Sequence, residues 1–236
     1  SYNDVDAIRK VAQNSSSVVA VLVEPVQGEG GINVPSDDYL AELRQLCDEQ
    51  QWLLMLDEIQ TGMGRTGKWF AWQHTGIQPD VAGIAKALGN GVPVGACMAR
   101  GVAAELMTPG SHGTTFGGNP LATRAALAVL DVMESGDLVM RAAQRGQQLL
   151  EGFRKHLANQ PGIASIRGRG MMIGIEFDRP CGELVGRAIN RGLLINVTAG
   201  RVVRLLPPLI TSENQAEMIV DKVSGLIREF LAEPDA

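Results

Sequence analysis

The chain has 236 residues, 45% hydrophobic and 20% charged, with a formal net charge of −5. That composition supports a buried core in one or two domains, and its acidic balance lacks the basic face a nucleic-acid binder needs. The longest apolar runs, such as 18–23 and 53–56, are strand-sized and too short to cross a bilayer.

In chain order, Ser1–Lys10 mixes acids with polar residues and carries no secretory or transit pattern, so a soluble cytoplasmic protein is expected. Val18–Val23 is a continuous β-branched run, predicted as a strand buried on both faces. Ser36–Gln51 has helical periodicity with Ser36 as its N-cap. Three more strands are predicted at Leu53–Leu56, Asp80–Ala85 and Val94–Met98. Strands alternating with connectors in this way predict an α/β fold with a doubly wound, mainly parallel sheet.

The texture changes after Pro120. Helices are predicted over Pro120–Glu134 and Leu138–Leu157, then strands at Ala164–Arg167 and Met172–Phe177. A short helix at Glu183–Asn190, strands at Leu193–Val197 and Val202–Leu205, and a helix from Ser212 to about Leu231 complete a smaller C-terminal α+β domain. The domain boundary is placed near Gly136, giving a large domain over 1–136 and a small one over 137–236. Cys47, Cys97 and Cys181 lack metal-ligand spacing and are expected to be reduced, buried thiols.

Ligands of open α/β sheets sit outside the carboxyl ends of the strands. Glu24, Asp57 and Lys86 each follow an apolar strand and are expected to converge on one rim. Lys86 lies in the otherwise uncharged stretch Gly83–Gly89. Burial disfavours its ammonium form, and a free lysine amine is the nucleophile that forms a Schiff base with an aldehyde; a lysine snorkelling from a surface turn is the plain alternative. Asp57 at the mouth of a strand needs a partner, which the protonated ring nitrogen of pyridoxal phosphate would supply. A residue that merely opens a turn or caps a helix is the alternative there.

Gly62-Met63-Gly64-Arg65-Thr66-Gly67 matches a dinucleotide fingerprint, but no amphipathic helix follows, and the acid at the expected distance, Asp80, precedes a strand when it should end one. A nicotinamide-dependent dehydrogenase is therefore disfavoured. His112–Pro120 is rich in glycine and hydroxyls ahead of a helix, a composition that suits either phosphate oxygens or an ordinary capping turn. His74 and His156 have no partner spacing and read as surface or packing residues.

Glu24–Gly31, Leu56–Gly62, Arg65-Thr66-Gly67, Lys86–Gly89 and His112–Pro120 occur in an order and spacing that closely resemble the class III, ornithine-type aminotransferases of fold type I. Val202–Pro208 is similar to the branch acting on N2-acetylornithine. The resemblance implies a pyridoxal 5'-phosphate enzyme of arginine biosynthesis. It would move the terminal amino group of N2-acetylornithine to 2-oxoglutarate, giving glutamate and N-acetylglutamate 5-semialdehyde.

The resemblance also assigns roles. Lys86 would hold the cofactor covalently and shuttle the proton, and Asp57 would pair with the pyridinium nitrogen. Gln60 would bond near the phenolic oxygen. Thr115, with Thr114 beside it, would reach the phosphate of the neighbouring subunit's cofactor, which implies a homodimer. Arg204 would take the α-carboxylate of glutamate or 2-oxoglutarate, Glu29 would cover Arg204 when the amine donor is bound, and Glu24 would lie near the substrate. Ornithine, succinylornithine, succinyl-diaminopimelate and 4-aminobutyrate are the alternative donors. A non-catalytic homologue is the alternative from another class, disfavoured by the intact Asp57, Gln60 and Lys86. Family members carry a further preceding segment of well over a hundred residues, so the chain is expected to be a C-terminal portion, inactive alone. No metal, nucleic acid or membrane is implied.

Overall fold

A computed structural model describes residues 1–233; the last three positions of the expected small domain lie outside the described residues. The chain divides into two compact units. The first is Ser1–Val26, Pro35–Met63 and Lys68–Asp137; the second is Gln27–Val34, Gly64–Gly67 and the residues from Leu138 onward.

The first unit opens with α1 (Val5–Asn14), where the Asp4 carboxylate caps the helix by accepting from the Ala7 N–H. Then come β1 (Ala20–Val23), α2 (Tyr39–Gln50), β2 (Leu53–Asp57), β3 (Val81–Ile84), β4 (Ala96–Ala99), the single turn α3 (Val102–Glu105) and α4 (Pro120–Ser135). The sheet order is β1-β2-β3-β4. The first three strands run parallel and β4 runs antiparallel to β3. Only the segment 85–95 joins β3 to β4, too short for the crossover a parallel neighbour demands, so the chain turns back.

Leu54 and Leu56 of β2 are fully buried with Tyr39, Leu40, Leu43 and Leu46 of α2, while Leu53 and Met55 on the other face are half-buried. Each such leucine contributes roughly 1.5–3 kcal/mol on burial. The expectation that Val18–Val23 is buried on both faces fails. Leu22 is 68% exposed, because β1 is the edge strand of the described sheet and the core of α1 and α2 lies on its other face, and Val19, 73% exposed, precedes the strand. Ser36 does not cap α2 either. Its N–H and hydroxyl both donate to Asn3 Oδ1, and the helix starts at Tyr39. Cys47 is buried, with its thiol pushed up to about 11 by burial, but Cys97 on β4 is exposed.

Asp80, just before β3, is structural. Burial pushes its carboxyl upward, but the Leu54 N–H (2.8 Å) and the Arg44 guanidinium of α2 (2.7 Å) outweigh that and hold it below the usual range. Its stabilisation is present above the ordinary value of 3.8 and is lost as pH falls through the lower folded-state value. Asp80→Asn is therefore expected to cost about 2 kcal/mol at neutral pH. Denaturant titrations of the two proteins at pH 7 and below pH 3 should show that difference shrinking in acid.

The second unit contains α5 (Leu138–His156), β5 (Ile163–Arg169), β6 (Met172–Phe177), α6 (Leu184–Ile189), β7 (Asn196–Thr198), β8 (Val202–Leu205) and α7 (Glu213–Ala232). Its sheet is antiparallel throughout, in the order β5-β6-β8-β7. Leu149 and Phe153 of α5, Ile173, Ile175 and Phe177 of β6, and Ile227 of α7 are fully buried together. Cys181, in the same core, has its thiol raised to about 11 by burial. Ser212 and Gln215 form a reciprocal cap at the start of α7. Among the described residues no helix is long and apolar enough to cross a membrane, and no group of His, Cys, Asp or Glu could hold a metal ion.

Candidate active site

In the first unit, three parallel strands deliver three ionisable residues to their carboxyl ends. Val23 pairs with Leu56 and Asp57 with Gly83, so Glu24 follows β1 beside the end of β2, and Lys86 lies two residues beyond β3. Tyr2 holds the first of these ends by donating its hydroxyl to the Glu24 and Pro25 carbonyls, 3.0 Å each.

Asp57 Oδ1 accepts from the Ile59 N–H (2.9 Å), which makes the residue a turn opener as well as a strand terminus. Among the described residues no donor reaches Oδ2. Next to it, Glu58 is buried. Burial raises its carboxyl above the usual range even though the Thr61 hydroxyl and the backbone N–H groups of Ala71 and Trp72 donate to it. These bonds tie the loop after β2 together, with Gln60 inside it, half-buried.

Lys86 opens a single 3-10 turn, Lys86–Leu88, with φ at +46°, a left-handed conformation a lysine adopts only under strain. α4 packs against this turn. The side chain is exposed, which corrects the expectation of a dry setting: the turn carries Lys86 beyond the end of β3, away from the buried Ile84. Its amine meets no acceptor among the described residues. A primary amine and a carboxylate oxygen with a lone pair to offer, at the ends of adjacent strands, fit a cofactor that carries an aldehyde and a protonated ring nitrogen.

The residues 111–120 are all exposed. The Thr114 hydroxyl accepts from the Gly117 N–H at 3.1 Å, and the Asn119 side chain caps α4 by accepting from the Ala122 N–H at 3.0 Å. Thr115 stands in this loop with its hydroxyl outside those bonds. His74 and His112 are exposed. The Gly62–Gly67 run is no nucleotide cradle. Met63 ends one segment of the first unit, Gly64–Gly67 belongs to the second, and a Cβ on Gly67 would lie 2.9 Å from Ala143.

The second unit brings together Glu29 and Arg204. Arg204 Nη1 lies 2.6 Å from Glu29 Oε1, with the arginine side chain 11% exposed and the glutamate 71%. Glu29 rides in the segment 27–34, closed by paired backbone bonds between Gln27 and Asn33 at 3.1 Å. Two further arginines, Arg167 and Arg65, hold this region. Arg167 Nε donates to the Ile32 carbonyl (2.7 Å) and Nη2 to that of Gly31 (2.6 Å). Arg65 Nη1 donates to the Met171 and Pro207 carbonyls, at 3.2 and 2.6 Å, and burial lowers its guanidinium to about 10. Neither carries a local signal; for Arg167 the one clue is that the strand opposite contains Gly174.

The class III aminotransferase family profile matches residues 2–227. The chain belongs to that family. Class III aminotransferases depend on pyridoxal phosphate. Among curated proteins, the chain is 53% identical over 230 residues to an acetylornithine aminotransferase of Nitrosomonas europaea, covering 98% of the chain and 58% of that relative. It is 54% identical over 232 residues to acetylornithine aminotransferase 1 of Bordetella bronchiseptica, covering 98% and 59%. Among solved structures, the ornithine aminotransferase of Toxoplasma gondii matches with a TM-score of 0.94 at 36% identity, over 99% of this chain and 56% of that one. The chain thus spans somewhat under three fifths of the length of these relatives.

Proposed function

We propose that the whole protein is an acetylornithine aminotransferase, acting as a cytoplasmic homodimer in arginine biosynthesis. The observation that carries the reading is Lys86 and Asp57 at the carboxyl ends of adjacent parallel strands, in a chain 53% identical to a relative named for that activity. Lys86 would hold pyridoxal phosphate through its amine, and the Asp57 carboxylate would pair with the ring nitrogen. Gln60 bonds near its phenolic oxygen. Thr115, with Thr114 beside it, binds the phosphate of the cofactor in the neighbouring subunit. Bound pyridoxal phosphate supplies an electron sink and a carrier for the amino group.

Each residue of this chain then has a definite task. Asp57 keeps the ring nitrogen protonated by holding a negative charge against it. Lys86 Nζ would take the proton from the amine-bearing carbon as general base. Arg204 binds the α-carboxylate of glutamate or 2-oxoglutarate, and Glu24 lies near the substrate. Glu29 neutralises Arg204 while N2-acetylornithine occupies the site, so one site accepts a dicarboxylate and a terminal amine in turn.

Assaying the whole enzyme with 2-oxoglutarate against each candidate donor tests the substrate. N2-acetylornithine is expected to give the highest kcat/KM, above ornithine, succinylornithine, succinyl-diaminopimelate and 4-aminobutyrate. Efficient turnover of free ornithine with little of the acetylated compound would move the assignment to ornithine aminotransferase.

A further inference from the structure

β5, β6 and β8 set Arg167, Gly174 and Arg204 in one row, since Arg167 pairs with Gly174 and Gly174 with Arg204. Directly opposed residues of antiparallel strands carry their side chains on the same face. Two guanidinium groups therefore flank a position that has no side chain. The segment 27–34 fills it: a Cβ on Gly174 would lie 2.8 Å from Ile32 Cβ, and Ile32 is fully buried. Arg204 takes hold of the segment by the Glu29 carboxylate. Arg167 takes hold of it by the Gly31 and Ile32 carbonyls, and the Thr198 hydroxyl of β7 donates to the Glu29 carbonyl.

We infer that Arg167 is a positioning residue for substrate discrimination, fixing the main chain of 27–34 so that Glu29 uncovers and re-covers Arg204 by side-chain rotation alone. This rests on the roles proposed for Glu29 and Arg204. The two arginines divide the work by their surroundings. Arg167 has its own counter-ion in Glu176, which Arg201 also pairs at 2.9 Å, and it donates to neutral carbonyls that no substrate competes for. It stays in place when a dicarboxylate arrives. Arg204 instead holds a carboxylate whose side chain is 71% exposed, and an incoming carboxylate can replace it without repacking. Lysine cannot do the work of Arg167, because a single ammonium on a flexible stem cannot span two carbonyls and Glu176 in one plane.

The test compares the two half-reactions of the whole enzyme by single turnover. In Arg167→Lys, kcat/KM for the amine donor is expected to fall about tenfold, as a lost charge-assisted bond predicts, while that for glutamate stays nearly level. Hydrogen exchange at the amides of 29–33 should quicken in the same variant, with cofactor or without. Thr198→Val, which removes the second hold on the segment, should move both readouts in the same direction and serves if Arg167→Lys does not fold. An equal fall in both half-reactions, or unchanged exchange at 29–33, would overturn the inference. Glu29→Gln is the control. If it shifts the ratio of the half-reactions and Arg167→Lys does not, the positioning role falls and the site reading stands. If neither shifts it, both fall.

Discussion

Lys86→Gly is expected to abolish transamination and at the same time to stabilise the cofactor-free protein. Lys86 sits at φ +46°, a backbone state that costs a residue with a Cβ on the order of 1–2 kcal/mol and costs glycine almost nothing. Glycine's greater freedom in the unfolded chain returns part of that difference. A net gain of about 1 kcal/mol corresponds to roughly 2–4 °C in Tm for a protein of this size. The same substitution removes the amine proposed to bind the cofactor and move the proton, and loss of a positioned acid–base group alone costs about 10²–10⁴-fold in rate. Lys86→Arg separates the two effects, since it keeps the strained φ and loses only the amine chemistry. Calorimetry without cofactor, the visible absorbance of bound cofactor, and turnover together check the argument. Retained activity and absorbance in the glycine variant would end the assignment. A glycine variant no more stable than the arginine one would show that position 86 carries no such strain.

That strain also marks where sequence reasoning reaches and where it stops. The strand-ending positions of Glu24, Asp57 and Lys86 were legible, because parallel strands are uninterrupted apolar runs and a charge that closes one is conspicuous. Val202–Leu205 was legible to the residue, since Ala199-Gly200 before it and Pro207-Pro208 after it bound a short β-branched run. The exposure of Lys86 was not legible: an apolar neighbourhood in sequence says nothing about how a turn aims the side chain. Helix α1 escaped notice because Ser1–Lys10 is polar overall, although Asp4 as cap and Val5, Ile8 and Ala12 at helical spacing were there to be read. The assignment of Gln27–Val34 and Gly64–Gly67 to the second unit was out of reach as well. Their glycines mark turns, but the partners that hold them, Arg167 and Met171 among others, lie more than a hundred residues away in the chain. Long-range partners of this kind leave no local periodicity.

Arg204→Gln and Glu29→Gln should change the two half-reactions in opposite directions. Arg204 meets Glu29 at 2.6 Å, nearly withdrawn from solvent itself while the carboxylate is not. With the arginine gone, the α-carboxylate of glutamate loses charge-assisted bonds worth about 1.5–3 kcal/mol each. For a two-pronged contact that is a fall of roughly 10²–10⁴-fold in kcat/KM for glutamate. The amine donor, whose productive mode has Arg204 covered, should lose far less. In Glu29→Gln the arginine is left uncovered. Glutamate no longer competes with an internal carboxylate, so its half-reaction holds or improves, whereas the donor loses about tenfold because its own α-carboxylate is drawn to the bare guanidinium and turns the terminal amine away. The double variant should behave as Arg204→Gln alone, because the glutamate acts only through the arginine; such non-additivity is what a double-mutant cycle detects. Parallel declines of both half-reactions in either single variant would mean that the pair stabilises the fold around β8 and takes no part in choosing between substrates.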